Sequence, residues 1–452
     1  MGDYLDYITG YLCNTSFDDF PSEVISRAKE VLADTMAVIA AGSQEDEVKS
    51  LINRKTYPGE PCESTLPGAG IRTEMIKAGL INGTAGTFLE LDEGNQFARG
   101  HASIHVVPAA LAVAEKNRLS GKELLTALVL GYEVCARIGI ACKIRMSMHP
   151  HGTWGTVGAA VAVAKLMGYK EPAMKEIINV SSSLGLATSR RTMLEGGTVR
   201  NVYAGVSGYM GILAHDLVQS GFTGEADGLK TIFGSVISET FNPETMTEAL
   251  GRRFEITRNY FKLHACCRYN HGSLDALEKI MAKRPEGVIR PEEIGSIEVK
   301  TYSLAAQLCD KNPGNTLAAK FSIPFAIATY IVHGEAGIES FKSKAVNDPS
   351  TRALAQKVTV SEDPDLTAMM PDRRPSRVRI KFSNGEMIEA ETFMNKGDFE
   401  DPYGPDDLEK KYFGLVDQIW EHKTAERIFS DLMATEKLQD INQLTTLIAP
   451  LD

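Results

Sequence analysis

The sequence predicts a mainly α-helical protein, in which a large helical domain formed by both chain ends is interrupted by a smaller α+β domain. Three observations support this fold class. Apolar residues recur at helical spacing through roughly the first 255 residues. Alternation typical of β-strands is confined to the middle of the chain, and helical spacing returns after a turn-rich stretch. We therefore predict a helical domain over residues 1–258, an inserted domain over 259–395, and a final helical segment over 396–452.

The helices of the first part have recognisable starts. A Pro-Ser pair ending at Ser22 precedes the first strongly periodic run, and Ser120 with Glu123 forms a capping box before another long run. The later segments 152–168 and 204–217 are rich in small residues. We expect these helices to pack closely in the interior.

The strands predicted in the inserted domain lie in residues 294–302, 357–363 and 377–393, where apolar and polar residues alternate. In the third segment, Asn384 followed by Gly385 is a strong signal for a tight hairpin turn. Helical runs separate these strands, which is typical of an α+β domain.

Composition restricts the class of protein. The chain has 452 residues, 43% hydrophobic and 24% charged, which is ordinary for a globular protein with a sizeable core. A formal net charge of -11 argues against nucleic acid or an anionic membrane as the main partner. No apolar run approaches the ~20 residues of a membrane span. Seven cysteines without a secretory signal indicate a cytoplasmic protein with reduced thiols.

The first candidate site lies in residues 89–108. Asp92 ends a run of small and apolar residues, and a polar loop then leads to His101 and His105 before Pro108, which we expect to start a new helix. An acid and an imidazole on a loop between buried helices are suited to proton transfer. The alternative is a solvated loop whose acidic residues cap helices.

Two further candidates precede helices rich in small residues. His149 and His151 stand before Gly152 and Gly155, where a helix N-terminus could hold an anion close to the backbone. The alternative there is close helix packing. Arg200 lies at the entrance to a second such helix, where it could bind a carboxylate through two hydrogen bonds or be an ordinary surface charge.

The fourth candidate is FKLHACCRYNHG, residues 261–272, whose histidines and cysteines raise the question of a metal site. Zinc sites usually need four ligands at loop or finger spacing, whereas two adjacent cysteines in an extended segment point to opposite faces. We therefore expect no metal. Lys262, Arg268 and His271 could instead hold a substrate carboxylate. The alternative is a connector with scattered polar residues.

Together, and in this order, these stretches resemble the MmgE/PrpD family, which includes 2-methylcitrate dehydratases, cis-aconitate decarboxylases and iminodisuccinate epimerases. The resemblance extends through nearly the whole chain. The segments that carry it are ELDEGNQFARGHASIHVVPA, HPHGTWGTVGAAVAVAKLMG, TVRNVYAG, SGFTGEADGL, KLHACCRYNHGSLDAL, AKFSIPFA, KGDFEDP and DDLEKKYF.

The resemblance implies that the inserted domain is a lid, that the protein is a homodimer, and that it needs no metal or organic cofactor. By position within these motifs, Asp92 is similar to the family's active-site aspartate and His101 to its loop histidine. His149 is similar to the histidine before the glycine-rich helix, and Lys262 to the lid lysine. Two departures lower the case for cis-aconitate decarboxylation. Arg200 stands where decarboxylases have lysine. The position of the decarboxylases' lid histidine is similar to that of Cys267 here, which leaves His271 as the nearby imidazole.

We therefore predict a cofactor-independent lyase that acts on a small di- or tricarboxylate, with 2-methylcitrate-type dehydration favoured. Iminodisuccinate-type epimerisation, cis-aconitate-type decarboxylation and a non-catalytic carboxylate-binding protein are the alternatives. His101 is the expected general acid/base, with Asp92 as its partner. We also expect that replacing Lys262 would reduce turnover and leave thermal unfolding nearly unchanged. The predicted catalytic residues are Asp92, His101, His149 and Lys262, and the predicted substrate-binding residues are Arg200, Arg268 and His271.

Overall fold

The structure is a computed structural model that describes residues 4–284 and 287–450. It is 57% helical with about 10% strand, which confirms the mainly α fold class. The α-helices are α1 Tyr4–Asn14, α2 Ser22–Gly42, α3 Asp46–Lys55, α4 Met75–Phe88, α5 Ser103–Lys116, α6 Gly121–Ala141, α7 Trp154–Leu166, α8 Glu171–Ser182, α9 Arg190–Leu194, α10 Tyr203–Gln219, α11 Gly228–Thr231, α12 Pro243–Thr247, α13 Arg268–Met281, α14 Ser303–Ala306, α15 Thr316–Lys320, α16 Ile323–His333, α17 Ser343–Val346, α18 Pro349–Gln356, α19 Pro364–Thr367, α20 Pro405–Val416, α21 His422–Met433 and α22 Asn442–Thr445.

The remaining elements are strands, 3-10 helices and a π-helix. The strands are β1 Ser64–Leu66, β2 Ile71–Thr73, β3 Gly94–Asn95, β4 Cys142–Ile144, β5 Ser238–Phe241, β6 Asn259–Tyr260, β7 Ile294–Thr301, β8 Val358–Glu362, β9 Ser376–Phe382 and β10 Met387–Thr392. The 3-10 helices are Phe17–Asp19, Thr198–Val202, Glu255–Arg258, Pro291–Glu293, Glu339–Phe341 and Thr435–Lys437, and Ile232–Val236 is a π-helix.

The centre of the helical domain consists of α4, α5, α6, α7 and α10, which pack directly on one another. Small residues permit the close approach. A Cβ atom on Gly205 of α10 would collide with the carbonyl oxygen of Leu80 in α4, and one on Gly158 of α7 would collide with Cys135 of α6. The capping box predicted at Ser120 is also present, with Glu123 as its second member. The predictions for these helices are confirmed.

The inserted domain contains a four-stranded sheet in the order β10-β9-β7-β8. Strands β7 and β8 are parallel, and the other neighbours are antiparallel. The predicted hairpin joins β9 to β10, and Gly385 has the positive φ of 90° that such a turn requires. Helices α13 and α16 contact the sheet.

The chain end returns to the helical domain, where α20 and α21 pack against α2. Lys411 of α20 lies with its Nζ 2.5 Å from Asp34 Oδ1 and donates a 2.8 Å hydrogen bond to the carbonyl oxygen of Leu91. The C-terminal segment therefore supports the loop that carries Asp92. The exact domain boundaries at 258/259 and 395/396 stay predictions.

Two expectations from the sequence are corrected. Pro108 does not start a helix but lies inside α5, which begins at Ser103, where Glu93 Oε1 accepts a 2.8 Å hydrogen bond from the backbone N–H. In addition, α6 is long and apolar enough to cross a membrane by length and composition. It is the one such helix in the described ranges, and 94% of its most apolar window is buried inside the protein, as in a core helix.

Candidate active site

A cavity lies where the helical and inserted domains meet. Four of the predicted site residues line it: His101, His149, Arg200 and Arg268. The other three, Asp92, Lys262 and His271, are buried directly behind this lining, where they contact lining residues. The four sequence stretches that we singled out therefore meet in one place.

The loop before His101 is held at both ends. Helix α4 stops at Phe88, whose carbonyl oxygen accepts a 2.8 Å hydrogen bond from Lys320 Nζ. Further along, β3 pairs antiparallel with β6, which lies just before Lys262 in the chain. Asn95 Oδ1 then accepts hydrogen bonds from two backbone N–H groups of the turn leading to His101. This loop and the Lys262 segment are consequently fixed relative to each other.

Asp92 and His101 form the predicted pair. His101 Nδ1 lies 3.0 Å from Asp92 Oδ2 and 2.7 Å from the carbonyl oxygen of Glu93. A carbonyl oxygen can only accept, so Nδ1 must carry a proton. Burial raises the pKa of Asp92, but the positive charges of His101 and Lys262 outweigh it and hold that pKa well below its usual range. In neutral His101, Nε2 is therefore the basic nitrogen, and it makes no hydrogen bond to the described residues.

A second carboxylate, Glu90, joins this site, although the sequence analysis did not identify it. Lys262 is fully buried, with its Nζ 3.1 Å from Asp92 Oδ1 and 3.8 Å from Glu90 Oε2. Glu90 also forms an ion pair with Arg200 and lines the cavity. Glu90 lies in a bend after α4 with a positive φ of 56°, so no regular spacing in the sequence indicated that it would share Lys262 with Asp92.

His149 has the opposite tautomer to His101. Its Nδ1 accepts a 3.1 Å hydrogen bond from the backbone N–H of His151, so in the neutral ring the proton lies on Nε2. Burial and the nearby charge of Arg200 hold the pKa of His149 well below the ordinary value. Thr188 fixes the backbone by donating a 2.6 Å hydrogen bond to the carbonyl oxygen of His149. His149 is thus a neutral hydrogen-bond donor.

Two more histidines complete a cluster of imidazoles. The ring of His151 lies 4.9, 5.0 and 4.7 Å from the rings of His101, His105 and His149. His151 lines the cavity, and neither of its ring nitrogens has a hydrogen-bond partner in the described chain. Burial lowers the pKa of His105 to about 4 and, with the charge of Arg200, holds that of His151 well below its usual value. These imidazoles are therefore neutral near pH 7.

The inserted domain supplies cations and no imidazole to the lining. Arg268 lies with its Nη2 2.7 Å from Asp398 Oδ1, and its Nη1 donates a 3.0 Å hydrogen bond to His271 Nδ1. His271 faces Arg268 rather than the cavity, and burial and Arg268 hold its pKa well below the usual value. Cys267 does line the cavity, and burial raises the pKa of its thiol to about 11, so it is uncharged.

The adjacent cysteines take no part in a candidate metal cluster within the described chain. Asp92, His101 and His151 do offer ligand atoms that lie within 4.8 Å of one another. However, the carboxylate of Asp92 is already held by His101 and Lys262, and the positive charge of Lys262 opposes a second cation at the same oxygen atoms. These three residues therefore fit a metal ion poorly.

Comparison with known families identifies the class of protein. The chain matches the MmgE/PrpD N-terminal domain over residues 6–245 and the MmgE/PrpD C-terminal domain over residues 264–434. The protein belongs to the MmgE/PrpD family. The resemblance stated from the sequence motifs is confirmed.

Among individual relatives, the chain is 26% identical to the cis-aconitate decarboxylase-like protein oryM of Aspergillus oryzae, over 98% of this chain and 97% of that protein. It is 23% identical to the cis-aconitate decarboxylase of Aspergillus terreus, over 98% of this chain and 96% of the relative. It is also 23% identical to the human cis-aconitate decarboxylase, over 94% and 90% of the two chains. The likeness spans nearly the full length of each protein.

Proposed function

We propose that the protein is a lyase that acts on a small di- or tricarboxylate. One observation carries the proposal: two imidazoles with opposite hydrogen bonding at Nδ1, a donor in His101 and an acceptor in His149, face a cavity that is also lined by arginine side chains. An imidazole with a free basic nitrogen and one with a free N–H group suit removal of a proton beside a carboxylate, with stabilisation of the group that leaves.

In the proposed dehydration, His101 Nε2 removes a proton from the carbon next to a substrate carboxylate. Asp92 stabilises the resulting imidazolium, and the arginine side chains stabilise the charge that spreads into the carboxylate. The C–H electron pair forms the new C=C bond as the C–O bond breaks. His149 donates a hydrogen bond from Nε2–H to the departing hydroxyl, which leaves as water after taking the proton from His101.

Decarboxylation is the second candidate, and the names of the relatives in Aspergillus and human favour it. In that reaction the bond between carbon and a carboxylate breaks and CO2 leaves. The remaining electron pair takes a proton on carbon, for which protonated His101 is the suitable donor. The same side chains serve both reactions, so the substrate decides which bond breaks.

Proton NMR in D2O tests the proposal with citrate, 2-methylcitrate, cis-aconitate and iminodisuccinate as substrates. Dehydration gives an alkene without loss of carbon, and we expect this from a hydroxylated tricarboxylate. Decarboxylation releases CO2 and places deuterium on carbon. Deuterated iminodisuccinate of inverted configuration would instead support the epimerase alternative and contradict the lyase proposal.

The control is a His101→Asn variant assayed in parallel, with His422→Asn as a matched change at a solvent-exposed histidine. Loss of the signal in the first variant alone ties the reaction to this cavity. If the panel gives unchanged spectra while citrate still binds tightly, and His101→Asn leaves that binding intact, the protein is a carboxylate-binding protein and the proposal fails.

A further inference from the structure

Arg374 is a buried arginine without a carboxylate partner. It lies two residues before β9, its side chain is in the cavity lining, and the residue is only 2% exposed. Its Nη2 donates a 2.8 Å hydrogen bond to the carbonyl oxygen of Gln96. Neither Nε nor Nη1 has a hydrogen-bond partner in residues 4–284 or 287–450.

The other buried arginines of the described chain differ from Arg374 in this respect. Each of them forms an ion pair with a buried carboxylate: Arg72 with Glu115, Arg137 with Glu133, Arg200 with Glu90, and Arg268 with Asp398. The fold therefore pairs its buried guanidinium groups as a rule, and the exception lies in the cavity.

The surroundings hold this guanidinium in place without neutralising it. The rings of Tyr260 and Tyr269 lie 5.6 and 5.7 Å from its central carbon, so their electron-rich faces can stabilise a cation. Burial of a charge without a counter-charge is nevertheless strongly unfavourable. A bound anion would remove this cost and would find two nitrogens of Arg374 free to donate.

We propose that Arg374 forms a carboxylate-binding subsite of this cavity and that it selects for substrates carrying an additional carboxylate. The inference rests on the proposed carboxylate substrate and extends it. Arg200 and Arg268 already have protein carboxylates as partners, whereas Arg374 contributes an uncompensated positive charge. A ligand with three carboxylates can place one on Arg374 and still present others to the rest of the arginine lining.

The test compares binding of two unreactive probes by isothermal titration calorimetry. Propane-1,2,3-tricarboxylate and glutarate share a five-carbon chain with two terminal carboxylates, but only the first carries a middle carboxylate. For Arg374→Met we expect a loss of tricarboxylate affinity of about 10- to 100-fold, which corresponds to one hydrogen-bonded charge pair. Glutarate affinity should change less, so the preference for three carboxylates should shrink.

Arg373→Met is the matched control. Arg373 is the neighbouring residue, but its side chain is 39% exposed and pairs with Glu400. We expect no change in probe binding. In the ligand-free protein, Arg374→Met should leave the melting temperature unchanged or raise it, because an unpaired buried charge is removed.

Two results would overturn the inference. One is a folded Arg374→Met protein with wild-type affinity and preference for both probes. The other is a lowered melting temperature with both probes weakened equally, which would mean that Arg374 only holds the Gln96 loop. If Arg374→Met does not fold, Arg374→Gln replaces it, because glutamine also removes the charge, and unchanged tricarboxylate affinity there is equally contradictory. Because the probes do not react, Arg374-dependent binding can be established even if no lyase activity is found.

Discussion

The two walls of the cavity differ in chemistry. The helical domain contributes all the imidazoles of the lining, those of His101, His149 and His151, together with three arginines. The inserted domain contributes Arg268 and Arg374, with aromatic rings beside them. The histidines of the inserted domain do not line the cavity. Under the proposed function, proton transfer therefore depends on the helical wall, whereas both walls supply cations for an anion.

The difference has a physical basis in how each wall is held. On the helical side, imidazoles lie at helix starts and in a loop fixed by buried hydrogen bonds, and burial keeps most of them neutral. On the inserted side, burial and then the positive charge of Arg268 hold the pKa of His271 well below its usual value. An imidazole next to these arginines is thus a support for them rather than an acid or base.

The largest effect should come from the imidazole wall. Replacing His101 by Asn keeps a hydrogen-bond donor for the carbonyl oxygen of Glu93 but removes the basic Nε2. We expect kcat to fall by about 10²–10⁴-fold, the usual contribution of a positioned general acid or base. Binding of an unreactive tricarboxylate should change little. A fall in affinity equal to the fall in kcat would contradict the assignment of proton transfer, rather than binding, to His101.

Lys262 belongs to the inserted domain and contacts two carboxylates of the helical domain. Its replacement should therefore affect stability as well as activity. Lys262→Met leaves Asp92 and Glu90 without their shared buried cation, so we expect the free energy of unfolding to fall by about 3 kcal/mol. This revises the sequence-based expectation of nearly unchanged thermal unfolding. Urea unfolding measures it, with Lys342→Met as control, because Lys342 is 49% exposed. Equal stability of the two variants would contradict the buried arrangement.

The buried imidazoles should make the protein sensitive to mild acid. Their pKa values in the folded protein lie below the ordinary value, so the unfolded chain takes up protons that the folded protein does not. The folded protein therefore has the full stability that neutral histidines allow above about pH 6.5, and it loses this stability as the pH falls. At pH 5.5 each such histidine should cost about 1.4 kcal/mol.

For His105, with a pKa of about 4, the loss continues to about pH 4. Urea unfolding at pH 7.5 and 5.5 gives the slope of the free energy of unfolding against pH. His105→Gln should reduce this slope by the contribution of one histidine. An unchanged slope in His105→Gln would show that His105 is not held neutral.

The smallest effect should follow from chelation. Because Lys262 and His101 already hold the carboxylate of Asp92, we expect a chelator to leave activity unchanged and elemental analysis to find no stoichiometric metal. Stoichiometric zinc or iron, together with lost activity in chelator, would mean that Asp92, His101 and His151 bind a cation.

The sequence by itself determined the fold class, the hairpin at Asn384–Gly385 and the membership of the family. These depend on local signals and on the order of motifs, which survive without three-dimensional information. It also identified His101, His149, Arg200 and Arg268, which the structure places in one cavity lining.

Only the tertiary structure decided which of these residues line the cavity and which of the buried histidines are neutral. The sequence did not identify Glu90 because its role depends on an ion pair with Arg200, which lies far away in the chain. It did not identify Arg374 because only the folded structure shows that no carboxylate in the described chain pairs with this arginine. The tautomers of His101 and His149 likewise follow from hydrogen bonds to Glu93 and His151 that only the folded backbone creates. Residue type and spacing predict that a group can ionise, but burial and neighbouring charge determine whether it does.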